Sequence, residues 1–214
     1  MEIRQIRPED ARAAASLHIE GQPGTFLTSL GEEFLTAFYA GLCDSRWGYS
    51  FVAVEGDNPL GVIVGASDTR ALFKEFITKR GVHLAIPVLR RLLSRPSLLG
   101  GVLQSFFYPS KVGAASGEDE SGAAAEFLFI GVSVQARRQH IGSKMLHVLI
   151  EESRRRGCTA LQSTVHVDNR ESNAFHEKFG FQIVGSMELH GKKMNLYSLP
   201  LQEAKSGREA HGGD

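Results

Sequence analysis

The stretch that decides the fold covers residues 126–142 and reads EFLFIGVSVQARRQHIG. An alternating run of β-forming residues ends in a short basic turn, and an amphipathic helix begins directly after it. This order brings together free backbone N–H groups, the positive end of a helix dipole and the guanidinium groups of Arg137 and Arg138. The stretch therefore predicts a binding site for a diphosphate.

The composition is that of an ordinary globular chain. Its 214 residues are enough for one well-cored domain, and basic and acidic residues balance at 24 each, which gives no bias toward nucleic acid or membranes. The charged N-terminus predicts no signal peptide, and no apolar run is long enough for a spanning helix. Cys43 and Cys158 form no metal or redox motif. We expect a cytoplasmic protein without a metal, a nucleic-acid partner or integral membrane association.

The order of predicted elements indicates a mixed α/β fold. One domain is expected over residues 1–200, with a flexible loop at 110–124 and a disordered tail at 201–214. Ser29, three residues before Glu32, predicts a capping box for the second helix. The first half reads strand, two helices, two strands, and after an insertion the second half reads strand 126–132, helix 141–156, strand 159–167, helix 170–179 and strands 181–189 and 192–199.

The insertion, residues 69–108, has helical spacing and a basic character. Between Arg70 and Arg95 it carries seven Lys/Arg and a single acid, Glu75. Gly81, Pro87 and Pro96 predict a division into two or three short helices. Such a surface suits an acidic partner, a carrier protein or anionic lipid; the alternative is an extra packing layer with a solvated basic side.

Two motifs in the second half resemble those of the GNAT superfamily of acetyl-CoA-dependent N-acyltransferases. Val132 matches the family's strand end, and residues 137–142, RRQHIG, stand where the family has Gln/Arg-x-x-Gly-x-Gly/Ala. Asn169 and residues 175–181, FHEKFGF, match a second pattern that ends in Phe-Tyr-x-x-x-Gly-Phe. His140 replaces the family's first loop glycine, which allows close backbone approach to the pyrophosphate and an unusual φ. The sequence leaves two outcomes open: a histidine in a right-handed conformation that adds a donor, or a weaker affinity for the cofactor.

The resemblance implies the GNAT fold, a twisted mixed sheet of six to seven mostly antiparallel strands flanked by helices, with the insertion before the central strand. Strands 126–132 and 159–167 are the parallel pair that splays apart, and the pantetheine arm of acetyl-CoA lies between them. For Asn169 and Asn173, helix capping is the alternative role. The cofactor-binding residues implied are Val132, Arg137, Arg138, Gln139, His140, Ile141, Gly142, Ser143, Asn169 and Asn173.

The resemblance also implies two catalytic residues. Glu126 is the expected general base for the acceptor amine, and strand alternation places it on one face with Leu128, Ile130 and Val132. A strand-end acid facing solvent is the alternative, and His166, Glu33 and Glu188 are weaker candidates for the base.

The second expected catalytic residue is His176, which replaces the family's tyrosine, the acid that protonates the leaving thiolate. Imidazole titrates near neutral pH and suits that role, while a surface or core-edge histidine is the alternative. Phe26, Thr28 and Ser29 are expected to bind the acceptor, unless they belong to a helix entry.

The resulting hypothesis is an N-acetyltransferase that moves the acetyl group of acetyl-CoA to a primary amine of a small molecule by direct attack in a ternary complex. Neither cysteine lies in a nucleophile motif, which fits direct attack. The alternatives are an acyltransferase with a longer acyl-CoA or acyl-carrier-protein donor, and a CoA-binding sensor or interaction module without turnover. The sequence leaves a homodimer open.

Overall fold

The computed structural model describes residues 1–101, 124–189 and 191–201. Short 3-10 turns lie at Pro8–Asp10, Pro96–Leu98 and Val134–Ala136. The predicted α/β class is confirmed. The strands and helices are β1 (Glu2–Gln5), α1 (Ala11–Gly21), α2 (Phe26–Ser29), α3 (Glu32–Cys43), β2 (Gly48–Glu55), β3 (Asn58–Ala66), α4 (Thr69–Ser94), β4 (Ala124–Val132), α5 (Ile141–Arg155), β5 (Ala160–His166), α6 (Arg170–Lys178), β6 (Gln182–Leu189) and β7 (Lys192–Pro200).

The strands form one seven-stranded sheet in the order β1-β2-β3-β4-β5-β7-β6. β4 and β5 pair in parallel, and every other neighbouring pair is antiparallel. The chain between β4 and β5 is the crossover that carries α5, as a parallel connection requires. This confirms the mixed, mostly antiparallel sheet that the family resemblance implied.

The sheet separates two hydrophobic cores. On β3 the side chain of Ile63 enters one core, and its neighbours Val62 and Val64 enter the other, following strand alternation. The apolar stripe of α5, with Met145 and Leu149, covers the first face. α1 and α3 cover the second face, and α4 adds to this core through Leu72 and Phe76.

The insertion differs from the prediction of two or three short helices. α4 is one helix of 26 residues that passes through Gly81 and Pro87, and the chain breaks only at Pro96. A proline inside a helix costs about 3 kcal/mol, so tertiary contacts on both sides must hold it. Phe76 is buried before Pro87, and after it the Arg91 guanidinium donates to the Ser29 carbonyl at 2.8 Å. Residues 102–108 of the insertion lie outside the described residues.

Three boundaries also differ from the sequence-based expectations. The helix α3 begins after Gly31, which has a φ of 95° and makes no side-chain cap, while Ser29 ends α2, so the predicted capping box is wrong. Ala124 already belongs to β4, and residues 110–123 lie outside the described residues. Leu201 is buried, and its N–H donates to the Thr159 carbonyl at 2.8 Å, so the tail does not begin there; residues 202–214 are not described.

No helix within the described ranges is both long and apolar enough to cross a membrane.

Candidate active site

The two parallel strands part from each other after a short paired stretch. Their register joins residues 124–126 to residues 160–162 and ends at the pair Glu126–Gln162. Beyond it β4 stays paired with β3 as far as Val132, and β5 stays paired with β7 as far as His166. At the start of the gap the Ser163 hydroxyl donates to the Phe127 carbonyl at 3.1 Å. Among the described residues the two strands do not pair beyond this point, so a gap opens between edges of the kind with which an extended ligand can pair.

A β-bulge at Leu128 overturns the predicted face of Glu126. Val64 pairs with Phe129 and Gly65 with Phe127, so Leu128 is an extra residue in β4. Strand alternation is therefore reset, and Ile130 and Val132 pack in the core with α5. Glu126 points to the opposite face, because its register partner Ala66 belongs to the α1 and α3 core.

Glu126 itself is buried at the vertex of the gap. It is 7% exposed, and its carboxylate accepts a hydrogen bond from the Thr69 hydroxyl at 2.6 Å. Thr69 is the first residue of α4, so the insertion supplies a contact to the expected base. The alternative of a strand-end acid facing solvent does not describe this side chain.

In the basic turn after β4, a histidine adopts a backbone conformation that usually favours glycine. His140 is the N-cap of α5 with φ 58° and ψ 17°, a left-handed conformation, so it does not take the right-handed conformation that the sequence left open. Arg138 also has a positive φ of 63°. Each such residue costs about 1–2 kcal/mol, and strain of this kind is typical of functional turns.

The first N–H groups of α5 have no cap among the residues that the structure describes. The first intrahelical hydrogen bond runs from Lys144 N–H to the His140 carbonyl at 3.0 Å, and the His140 side chain makes no cap. The N–H groups of Ile141, Gly142 and Ser143 precede that bond and have no intrahelical partner. With the helix dipole they form an anion site.

The basic side chains around this site are exposed. Arg137, Arg138, Gln139 and His140 are open to solvent, and the Arg137 Nε donates to the Val132 carbonyl at 3.4 Å. The turn is also tied to α1, since the Val134 N–H donates to the Glu20 carboxylate at 2.7 Å. Two exposed guanidinium groups beside helix N–H groups without an intrahelical partner are the donor set that a diphosphate prefers.

The anion site and the gap adjoin each other. A Cβ built at Gly142 would lie 3.5 Å from Ile130 and 3.8 Å from Val132, so the first turn of α5 packs against the end of β4. With the diphosphate of coenzyme A at the N-terminus of α5, the pantetheine arm of the same molecule would begin at the mouth of the gap. These residues fit coenzyme A.

His176 is a core histidine. It is 2% exposed and packs between the rings of Phe127 and Tyr197, at centroid distances of 5.3 Å and 5.1 Å. Its Nδ1 lies 2.7 Å from the Ser172 carbonyl, which only accepts, so Nδ1 carries the hydrogen. Nε2 is buried without a hydrogen-bond partner in the part of the chain that is described. Burial lowers the pKa of His176.

Asn169 and Asn173 hold the junction of β5 and α6. Asn169 caps α6 by accepting from the Ser172 N–H at 3.1 Å. The Asn173 amide nitrogen donates to the carbonyls of residues 166, 167 and 169, and its oxygen accepts from Asn195 and Tyr197. Capping and bracing account for both side chains, and their expected contact with a cofactor stays a prediction.

The expected acceptor residues Phe26, Thr28 and Ser29 make up most of α2. The Thr28 hydroxyl donates to the Gln22 carbonyl at 2.7 Å, and the Ser29 hydroxyl donates to the Phe26 carbonyl at 2.5 Å. Thr25 caps the helix. The hydroxyls therefore stabilise the helix entry, and binding of an acceptor here stays a prediction.

A buried histidine that the sequence did not single out lies on the other face of β4. His18 in α1 is 3% exposed and stacks on Phe129 with ring centroids 3.9 Å apart. Its Nδ1 shares a hydrogen bond with the Tyr39 hydroxyl at 3.0 Å, and its Nε2 has no partner within the described ranges. Burial lowers the pKa of His18 to about 4. No local motif marks this residue, because α1 reads as an ordinary amphipathic helix.

A cavity of about 370 Å³ lies away from these elements. α3, its C-cap residue and α4 line it, through Gly41, Asp44, Glu75, Phe76, Lys79, Arg80 and His83. It shares no residue with the gap or with the anion site.

Solved structures of acetyltransferases share the fold of this chain. The E. coli ribosomal-protein-S18-alanine N-acetyltransferase covers 96% of this chain and 97% of its own at 14% identity, with a TM-score of 0.59. The Salmonella typhimurium protein yncA, solved with its cofactor acetyl-CoA, covers 95% of each chain at 16% identity, with a TM-score of 0.57. An N-acetyltransferase of Staphylococcus aureus covers 94% of this chain and 98% of its own at 18% identity, with a TM-score of 0.58.

These identities show the shared fold, and no curated protein matches the chain in sequence. The model of the acetyltransferase (GNAT) family matches residues 97–181, the segment that holds β4, the basic turn, α5, β5 and α6. The family model shows that residues 97–181 belong to the GNAT family of acetyltransferases, and the solved structures show that the chain as a whole shares their fold.

Proposed function

We propose that the chain acetylates a primary amine of a small molecule by direct attack on acetyl-CoA. The amine nitrogen bonds to the acetyl carbonyl carbon, the carbon–sulfur bond breaks, and coenzyme A leaves as the thiolate. The amine gives up its proton to a base, and the thiolate takes one up. The observation that carries the proposal is the gap between β4 and β5, which opens beside the uncapped N-terminus of α5.

The chain's contribution is mainly to hold two reactants together. The free N–H groups of Ile141, Gly142 and Ser143 would bind the diphosphate with Arg137 and Arg138. The free edge of β4 up to Val132 would pair with the pantetheine amides, and one of its N–H groups would polarise the thioester carbonyl. Orientation of this kind supplies a large part of the rate enhancement in a ternary complex.

Glu126 would take the amine proton, directly or through a water molecule. It lies at the last paired position before the gap, and its hydrogen bond from Thr69 fixes one carboxylate oxygen. Glu126→Gln keeps the shape and removes the base, so we expect kcat to fall by about a hundredfold or more. A kcat and pH profile equal to those of the wild type would exclude this role.

His176 as the acid meets two obstacles in this geometry. Its hydrogen is held on Nδ1 by the Ser172 carbonyl, and burial disfavours the charged imidazolium that could donate from Nε2. The acid role stays a prediction. His176→Phe tests it, since loss of a proton donor changes the alkaline limb of the pH–rate profile, while loss of packing alone changes stability only.

The decisive experiment is a thiol-release assay with acetyl-CoA over a panel of primary amines, amino sugars and peptides. Acetylation of a small amine, shown by mass spectrometry of the product, supports the proposal. Turnover with peptide N-termini only would refute the small-molecule acceptor. No turnover by a protein that binds coenzyme A would favour a binding module, and turnover only with longer acyl-CoA or acyl-carrier thioesters would change the donor.

A further inference from the structure

The insertion begins at the expected base. β3 ends at Ala66, the register partner of Glu126, and only Ser67 and Asp68 separate Ala66 from the start of α4. The hydroxyl of Thr69, the first residue of α4, donates to Oε2 of Glu126 at 2.6 Å. A connection of two residues therefore carries this hydroxyl directly to a carboxylate on the neighbouring strand.

The first turn of α4 is held from several sides. Asp68 caps the helix, since its carboxylate accepts from the Ala71 N–H at 2.9 Å. The Ser67 N–H donates to the Trp47 carbonyl at 2.9 Å, and the buried side chain of Leu72 anchors this turn in the core that α1 and α3 cover. Packing and hydrogen bonds of this kind hold a neighbouring side chain in one geometry.

The hydrogen bond from Thr69 affects both the charge and the orientation of the Glu126 carboxylate. Glu126 is 7% exposed, and burial of this degree disfavours a charged carboxylate. A hydrogen bond donated to the carboxylate favours the charged form, which is the form that takes a proton from an amine. Because an ionised carboxylate only accepts hydrogen bonds, the hydroxyl hydrogen points at Oε2 and orients the carboxylate plane.

Another threonine on α4 makes a different kind of hydrogen bond. The Thr78 hydroxyl is exposed and donates to the carbonyls of Lys74 and Glu75, one turn earlier in the same helix. This is the local bond that a threonine inside a helix makes to its own backbone. Thr69 instead bonds outside its helix, to the side chain that the proposed reaction needs as a base.

We propose that Thr69 is a positioning residue for Glu126, and that the insertion serves the reaction through this contact. The hydroxyl keeps the buried carboxylate ionised and in one orientation, so that it takes the amine proton as the carbon–nitrogen bond forms. The inference rests on the proposed function, since it assumes the role of Glu126 as the base.

The test compares two substitutions of Thr69 in the thiol-release assay, with the amine that gives the fastest turnover. Thr69→Val keeps the shape and removes the hydroxyl, whereas Thr69→Ser keeps the hydroxyl. Thr78→Val removes a hydroxyl from the same helix and is the matched control. We expect Thr69→Val to lower kcat by about tenfold, while Thr69→Ser and Thr78→Val stay close to the wild type. Calorimetry should show the same coenzyme A binding in all of them.

Two further measurements separate a positioning role from a structural one. In Thr69→Val the acidic limb of the kcat/KM pH profile should move to higher pH, because the carboxylate loses a bond that favours its charged form. In the Glu126→Gln background, Thr69→Val should lower kcat no further, because Thr69 acts through the carboxylate that is already gone. A loss of stability alone would leave the pH profile in place and would add to the effect of Glu126→Gln.

The outcomes distinguish this inference from the proposed function. A slow Glu126→Gln together with a Thr69→Val that matches the wild type in kcat and pH profile would overturn the inference alone. Equal losses in Thr69→Ser and Thr69→Val, or additive losses in the double variant, would also overturn it and assign Thr69 a structural role. Wild-type turnover by Glu126→Gln would remove the base and this role with it, and no acetylation of any amine by the wild type would refute the proposed function as well.

Discussion

Acidification should weaken the fold through His18. The neutral imidazole is buried between α1 and β4, where it stacks on Phe129 and bonds to Tyr39, and burial lowers its pKa from 6.5 to about 4. The unfolded chain therefore takes up a proton at a higher pH than the folded chain. The stability is fully present above pH 6.5 and is lost as the pH falls from 6.5 to 4.

The size of the effect follows from the two pKa values. Below pH 4 the full penalty is about 3 kcal/mol, since each pKa unit is worth 1.36 kcal/mol. Between pH 7 and pH 5 it is about 2 kcal/mol, and this interval avoids most carboxylate titration. His176 adds a penalty of the same sign, because burial also lowers its pKa. The free energy of unfolding in urea should therefore fall by about 2 kcal/mol or more over this interval.

A variant isolates the contribution of His18. His18→Gln removes the titration and keeps a polar group near the Tyr39 hydroxyl, so the variant should be less stable at pH 7 and show a shallower loss toward pH 5. His147→Gln, which removes an exposed imidazole from α5, serves as the control. An identical pH slope for wild type and His18→Gln would refute the reasoning that His18 is held neutral by burial.

Three further substitutions test the site. His140→Gly should stabilise the chain by about 1 kcal/mol in urea unfolding and leave coenzyme A binding unchanged, because glycine adopts the left-handed conformation without strain. A loss of stability in this variant, or an equal gain in His140→Ala, would contradict this. Asn173→Ala should lower the thermal midpoint by an amount equivalent to about 2 kcal/mol, because the Asn173 amide both donates and accepts hydrogen bonds. Asn169→Ala, which removes only a helix cap, should cost roughly 1 kcal/mol. Equal losses in the two variants would refute the bracing role of Asn173. Gly131→Ala should cost about 1–3 kcal/mol of stability, since a Cβ there would lie 3.0 Å from the Leu17 carbonyl oxygen. Gly100→Ala is the control and should be neutral, since no atom lies within 4 Å of a Cβ built there. A larger loss of stability for Gly100→Ala than for Gly131→Ala in chemical denaturation would argue against this packing of α1 on β4.

Local sequence patterns predicted the elements that carry the family motifs. The basic turn and the apolar stripe of α5 are properties of consecutive residues, and so are the β-branched run of β5 and the N-cap Asn169. The parallel pairing of β4 with β5 was implied by the family resemblance.

The errors arose where distant contacts decide the local structure. Proline 87 reads as a helix end, but packing before it and the Arg91 bond after it keep α4 continuous. The bulge at Leu128 depends on the register with β3, so simple alternation put Glu126 on the wrong face. His18 and Tyr39 are 21 residues apart and meet only because α1 packs on α3, and no spacing rule identifies them.

The backbone conformation of the basic turn could not be decided from the sequence, for a related reason. A histidine lacks the conformational freedom of glycine. The turn from β4 into α5 nevertheless requires a left-handed residue at the N-cap, so the surrounding fold holds His140 in that conformation. The family motif located the position, and only the structure shows that its histidine adopts the left-handed conformation.

The most direct test of the account is calorimetric titration with coenzyme A and with pantetheine, which lacks the diphosphate and nucleotide. We expect coenzyme A to bind at least about a hundredfold more tightly than pantetheine, since two charge-assisted hydrogen bonds to the diphosphate are worth about 3 kcal/mol or more. The double variant Arg137→Gln, Arg138→Gln should lose most of that difference. Equal binding of the two ligands, or no binding of coenzyme A by the folded chain, would contradict the assignment of the α5 N-terminus as the diphosphate site.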